Sequence, residues 1–225
     1  MEKECLMKTN YQLMLDHTIE ELRAEGKVPT LLLHACCAPC STYVLEYLSE
    51  YFKITVFSFN PNIYPAEEFY KRVSEQERLI GEMEFANPVG FIGSEHQSER
   101  FYEAVRGYED TGERGYRCYL CYRLRLEETA RLAREKGFDY FTTTLSISPL
   151  KDADWLNEIG IALADDHGVK YLCSDFKKRN GYKRSTELCK KYCIYRQDYC
   201  GCVFSMQESE QRRRAREEND VQKTL

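Results

Sequence analysis

The sequence has no apolar run approaching the roughly 20 residues that cross a bilayer as a helix, which argues against a membrane-spanning segment. Its start, MEKECLMKTN, lacks the apolar core of a secretion signal. No internal repeat recurs along the chain, which excludes solenoid and propeller arrays. We therefore expect a cytoplasmic protein with no membrane partner. What is present is 225 residues, 43% hydrophobic, 13% aromatic and 31% charged, enough for one domain with a substantial core.

The formal net charge is -5, yet the cations are clustered. Arg114, Arg117, Arg123 and Arg125 surround one cysteine pair, and Lys177, Lys178, Arg179, Lys183 and Arg184 crowd the stretch DFKKRNGYKR. A single run of this kind is ordinarily a solvated face. Two runs near cysteines, interleaved with tyrosines, point toward a polyanionic partner such as RNA. An acidic total does not forbid a local basic groove.

Along the chain, strand and helix signals alternate. Residues 1–27 read as an amphipathic helix with Leu13, Leu15, Ile19 and Leu22 on its apolar side, ending at Gly26. VPTLLLHA reads as a strand, followed by a helix for which Ser41 is the expected N-cap. KITVFSFN is a second strand closed by the turn signal NPN, and PAEEFYKRVSEQERLIGEME a helix opened by proline and acids. Then come SERFYEAVRGYE and CYLCYRLRLEETARLAREKG as helices, with Gly137 as C-cap of the latter. FDYFTTTLSIS is a strand, DADWLNEIGIALADDHG a helix, VKYLCSDF a last strand and GYKRSTELCKKYCIY a short helix. The tail from Gln207 reads as a solvated helix or a disordered segment. Such alternation predicts a parallel α/β sheet with crossover helices, whose ligands collect at the carboxyl ends of the strands.

Eleven cysteines are many for a compartment that reduces structural disulfides, so metal binding or thiol redox chemistry is the better expectation. HACCAPCS places Cys36, Cys37 and Cys40 at a strand end. Cys118 and Cys121 lie three apart at a helix start, where the helix terminus and nearby arginines would favour thiolates. In a strand-to-helix turn Cys36 and Cys37 can both reach one cluster, so with Cys118 and Cys121 they would supply four thiolates to a [4Fe–4S] cluster. Zinc on the same four sulfurs is the alternative, and would make the site a structural staple. Cys40 could bind an additional metal beside the cluster. In Cys200-Gly201-Cys202 the glycine frees the backbone for a strained, easily reduced bond, suiting a pair that cycles; the competing reading makes them metal ligands. Cys5, Cys173, Cys189 and Cys193 are expected to be core or tolerated thiols. Lys151 follows a threonine-rich strand exit and suits a pocket wall or a proton donor. His34 would orient the site or fill its base, and His96 and His167 read as helix-surface residues. Of the tyrosines flanking the cysteine pair, Tyr116, Tyr119 and Tyr122, at least one should pack in the core.

In order, LLLHACCAPCS, FNPNIYPAEEF, RCYLCYRLRL, FTTTLSISPLKD and YRQDYCGCVFS resemble the epoxyqueuosine reductase family QueH, the cobalamin-independent type. The likeness covers residues 29–206, leaving a helical extension at 1–28 and a charged tail at 207–225. It implies a Rossmann-like sheet related to the HUP (adenine nucleotide alpha hydrolase-like) folds with a helical cysteine-bearing insertion. It also implies an oxidoreductase that reduces epoxyqueuosine at the tRNA wobble position, using an iron–sulfur cluster and an external electron donor. By motif matching, Cys36, Cys37, Cys118 and Cys121 carry over as cluster ligands, Cys200 and Cys202 as a redox-active pair, and Cys40 as a ligand of an extra iron. For tRNA contact the candidates are Lys151, Tyr119, Tyr122, Arg123, Lys177, Lys178 and Arg179. No serine- and glycine-rich phosphate loop is present, so no ATP is expected. A sulfur-transfer enzyme of the same fold and a zinc-stabilised RNA-binding module are the rival readings.

Overall fold

The computed structural model describes residues 9–223, and the surroundings of side chains over 9–217. Cys5 and the first part of the expected N-terminal helix lie outside these residues. Five strands form one parallel sheet: β1 (Thr30–His34), β2 (Lys53–Ser58), β3 (Val89–Gly93), β4 (Tyr140–Thr143) and β5 (Lys170–Tyr171). Their order is β3-β2-β1-β4-β5. The chain steps outward from β1 in one direction and then reverses to β4, so the crevice between β1 and β4 is a topological switch point.

The helices are α1 (Tyr11–Ala24), α2 (Ala38–Leu48), α3 (Ala66–Glu82), α4 (Ser98–Ala104), α5 (Tyr116–Lys136), α6 (Ala153–His167), α7 (Gly181–Lys191) and α8 (Val203–Lys223). Because β1 is buried on both faces, Leu31 and Leu33 join α1, α2, α3 and α7 in one core. Leu32, between them, joins α5 and α6 in another on the opposite face. A crossover helix runs antiparallel to its strands, so α2 and α5 both begin at the carboxyl end of the sheet. That geometry brings Cys37, Cys40, Cys118 and Cys121, distant in sequence, to one end of the molecule.

Local chemistry explains most boundaries. Asp152 caps α6 by accepting from the Asp154 and Trp155 amides, and Gly137 and Gly168 end α5 and α6 in the left-handed region. Three expectations are corrected. Leu13 is 60% exposed, because the buried stripe of α1 is Tyr11, Leu15, Ile19 and Leu22, and a residue two positions from Leu15 points the other way. Ser41 does not cap α2; the helix starts a turn earlier at Ala38 behind Cys37, and the Ser41 hydroxyl donates to the Cys37 carbonyl at 3.0 Å and to Gln76 at 2.6 Å. His96 is on no helix surface; its Nε2 pairs with the Ile63 carbonyl at 2.7 Å and its ring packs on Phe69. The edge strand β3, VGFIG, was missed. The tail forms helix α8, solvated along Gln211–Glu217.

Glu128 ties α4 to α5, accepting from Arg100 at 3.0 Å and from Arg131 at 2.7 Å. Burial works to raise its carboxyl, but the two guanidiniums prevail and hold it below the ordinary 4.5. A depressed carboxyl contributes stability above its unfolded pKa and loses it as pH falls through the folded value. Glu128→Gln is therefore expected to cost about 1 kcal/mol at pH 7, both arginines being half in water, and the difference from the parent should shrink in urea melts as pH falls below 4.5 and through the folded value.

Candidate functional site

The site starts from a buried peg. His34, the last residue of β1, is wholly buried; its Nδ1 pairs with Thr143 Oγ1 at 2.9 Å and its Nε2 with the Phe59 carbonyl at 3.1 Å. It joins the ends of β4, β1 and β2, and burial pushes its pKa down to about 3, so it fills the base of the site as a neutral ring. Asn60 Nδ2 donates to the Ala35 carbonyl at 2.8 Å, fixing the turn that follows.

On that turn, the sulfurs of Cys36, Cys37 and Cys40 all lie within 4.8 Å of one another. Pro39 in the first turn of α2 sets the helix, and helical spacing swings Cys40 back over the pair. Cys36 and Cys37 sulfurs are 3.5 Å apart, and Gln197 Nε2 donates to Cys37 at 3.0 Å. Charge in the trio settles on Cys37: hydrogen bonds from Cys36 and Cys40, with Arg72 nearby, hold its thiol well below the ordinary value. Its partners move the other way, Cys36 up to about 12 and Cys40 also raised, because each shares a proton with a neighbouring sulfur. The third thiol of HACCAPCS thus belongs with the first two.

From the opposite face, the first turns of α5 contribute Cys118 and Cys121. The expectation that the helix terminus and arginines would favour thiolates here is overturned: burial dominates, raising Cys118 and pushing Cys121 up to about 12. Arg125, one turn beyond Cys121, is 1% exposed, and its guanidinium sits among the sulfurs of Cys121, Cys200 and Cys36. The third side is the segment Tyr195–Cys202. There burial acts to raise Cys200, but the Lys151 ammonium, hydrogen-bonded to it, and Arg125 outweigh burial and lower it. Lys151 is buried and lies 3.7 Å from Glu113. Cys200 and Cys202 are free thiols; Cys202 is buried beside Phe101, Val105 and Cys121. Cys36, Cys40, Arg125, Lys151, Gln197 and Cys200 line a cavity of about 160 Å³.

The other candidates divide. Tyr116 and Tyr119 stack at 5.4 Å and 9°, with Tyr116 46% exposed. Tyr122 is 2% exposed, the tyrosine of the three that packs in the core, and has no face free for a base. Arg123 is exposed, whereas Arg117 and Arg125 from the same run are buried. Lys177 pairs with Asp175 at 2.7 Å, Arg179 pairs with Asp16, and Lys178 is exposed. Cys173 and Cys189 are buried as expected of core thiols, and Cys193 is exposed. Sequence reading missed Arg72 and Gln197 altogether, and took Arg125 for a surface cation. The one usable signal was spacing, since Arg125 follows Cys121 by four and must share its helix face.

A parallel α/β sheet with buried thiols gathered from three chain segments at its switch point defines a class: sulfur-ligand or thiol-redox proteins whose chemistry sits at the strand ends. Residues 31–208 match the model of one family within it, "Epoxyqueuosine reductase QueH". Curated proteins of that name are similar over most of the chain. The one from Streptococcus pyogenes serotype M1 is 42% identical over 200 residues, covering 88% of this chain and 78% of its own. That of Staphylococcus epidermidis is 42% identical over 204 residues, covering 88% and 85%, and that of Staphylococcus aureus 41% over 202, covering 88% and 84%. The chain belongs to the epoxyqueuosine reductase QueH family.

Proposed function

We propose that the protein is a cytoplasmic oxidoreductase that reduces epoxyqueuosine to queuosine at the wobble position of tRNA. The observation that carries the reading is the thiol-lined cavity at the switch point, built from segments that match the family. No helix among the described residues is long and apolar enough to cross a membrane, consistent with action on a soluble RNA.

The donor set fits an iron–sulfur cluster. Cys36 and Cys40 line the cavity with Cys200, the sulfurs of Cys36, Cys37 and Cys40 lie within 4.8 Å of one another, and the buried Arg125 beside the cavity has an Nη2 with no hydrogen-bond partner among the described residues, an opening for an anionic group. Cys36, Cys37, Cys118 and Cys121 would hold a [4Fe–4S] cluster, and Cys40 would bind an additional iron. Such a cluster supplies single electrons when bound.

Converting an epoxide to an alkene takes two electrons and two protons and releases the oxygen as water. Cys200 and Cys202 can supply both: the dithiol gives up two hydrogens as it closes to a disulfide, so epoxide plus dithiol yields alkene, disulfide and water. An external electron donor then reopens the bond. Lys151 holds a proton at the cavity wall, where its Nζ can donate a hydrogen bond to the epoxide oxygen. Outside the cavity, the Tyr116–Tyr119 stack offers a platform for an unpaired base, and Arg123, Lys177, Lys178 and Arg179 offer cations to the phosphate backbone.

The test is anaerobic reconstitution with iron and sulfide, then incubation with epoxyqueuosine-containing tRNA and a reductant. Nucleoside analysis is expected to show epoxyqueuosine replaced by queuosine. Persistence of the epoxide with a cluster shown intact would overturn the assignment. A colourless, zinc-loaded protein without iron would favour the zinc-stapled RNA-binding module.

A further inference from the structure

Two buried arginines stand beside these cysteines, Arg125 without a carboxylate partner among the described residues and Arg72 paired with Glu68. Arg125 on α5 is 1% exposed, and its Nε donates to the Cys121 carbonyl at 3.1 Å. No carboxylate pairs with it among the described residues. Arg72 on α3 is 3% exposed; its Nε meets Glu68 at 2.7 Å, its Nη1 donates to the Cys200 carbonyl at 3.0 Å, and its guanidinium lies over the Tyr199 ring. The Nη2 of each is buried and finds no partner among the described residues. Taking a guanidinium out of water is costly unless an anion and hydrogen-bond acceptors replace the solvent.

Both guanidiniums face sulfur. Arg125 lies among Cys121, Cys200 and Cys36, and Arg72 lies near Cys37 and, more weakly, Cys36. They come from helices on opposite faces of the sheet, Arg125 lining the cavity and Arg72 reaching the backbone of Cys200 beside it. Four cysteine thiolates around a [4Fe–4S] core carry two net negative charges when oxidised and three when reduced. Arg125, with no carboxylate partner among the described residues, and Arg72, paired with Glu68, would both favour the extra electron of the reduced form.

We infer that Arg72 and Arg125 are built-in counter-charges that raise the reduction potential of the cluster held by the surrounding cysteines. This rests on the cluster reading above. Reduction adds negative charge beside two cations shielded from solvent, where Coulomb attraction is little screened. Removing either cation leaves the reduced form less stabilised, and the midpoint falls.

The experiment compares the parent with Arg125→Gln, Arg125→Lys, Arg72→Gln and Arg72→Lys. Each is reconstituted anaerobically, assayed for iron and sulfide per chain, and titrated with dithionite and mediators while the reduced cluster is followed by electron paramagnetic resonance. At a fixed potential near the parent's midpoint, each Gln variant is expected to show a reduced-to-oxidised ratio at least tenfold lower. That corresponds to a midpoint lower by about 59 mV for one electron. Each Lys variant should recover most of the difference, because charge is what the two residues share. Should Arg125→Gln fail to fold, the Arg72 pair carries the same comparison. Gln variants that titrate with the parent would overturn the inference while leaving the cluster in place, and so would a Lys variant that recovers nothing. A parent that binds no cluster would overturn the cofactor reading and this inference with it.

Discussion

Cys36→Ser is expected to strip the protein of iron and lower turnover on epoxyqueuosine tRNA on the order of a thousandfold or more, the scale seen when a group central to a reaction is removed. Cys36 ends the turn after β1, its sulfur 3.5 Å from Cys37 and within 4.8 Å of Cys40. It is also the sulfur of that trio that faces Arg125. A serine hydroxyl is a hard, poorly ionised ligand where the cluster wants a soft thiolate, so the loss is one of coordination rather than packing. Cys189→Ser makes the control: it is a buried thiol packed in the core on the α2 side of the sheet, whereas Cys36 is partly exposed, and it should leave iron content unchanged. Iron assay and nucleoside analysis on the pair decide the matter; Cys36→Ser with parental iron and turnover would remove Cys36 from the site.

The second large effect is expected at Gly201. Its φ of 140° lies where side chains rarely go, and a Cβ there would come within 3.1 Å of Arg72 Nη1, 3.2 Å of Ile63 and 3.3 Å of Asn62 Nδ2. Its carbonyl accepts from the Tyr64 amide at 2.8 Å and its amide donates to Ser205 Oγ at 3.3 Å, so the backbone cannot simply step aside. Gly201→Ala should therefore cost about 1–3 kcal/mol, seen as a drop of several degrees in the melting temperature. Because Cys200 and Cys202 flank it, a shift of about 1 Å in either sulfur should also slow turnover about a hundredfold. A variant with parental melting and parental turnover would show that this backbone does not set the thiol positions.

How much of this was legible in advance depends on the kind of residue. The strand-and-helix alternation and the helix-start spacing of Cys118 and Cys121 are local patterns, and local patterns survive folding. So did the rule that placed HACCAPCS at a strand end, because β1 is an unbroken apolar run with both faces buried. The edge strand β3 escaped because VGFIG is short and carries two glycines, which weaken any strand signal. Arg72, Arg125 and Gln197 escaped for a different reason. A long polar side chain reads as surface unless one knows what charge waits inside, and that charge comes from sulfurs far away in the sequence. The depressed thiols also landed elsewhere, on Cys37 and Cys200 instead of the α5 pair, since proton sharing and desolvation are set by neighbours in space.

The contact between Gln197 and Cys37 spans 160 positions. During synthesis at about 5–20 residues per second, the trio of thiols therefore emerges roughly 8–32 s before the segment that covers it. For that interval the site is an open patch of sulfur on an unfinished chain, exposed to oxidants and to stray metal. Closure waits for residues 160 positions further on, so a ribosome that stops before them releases a product with its most reactive atoms uncovered.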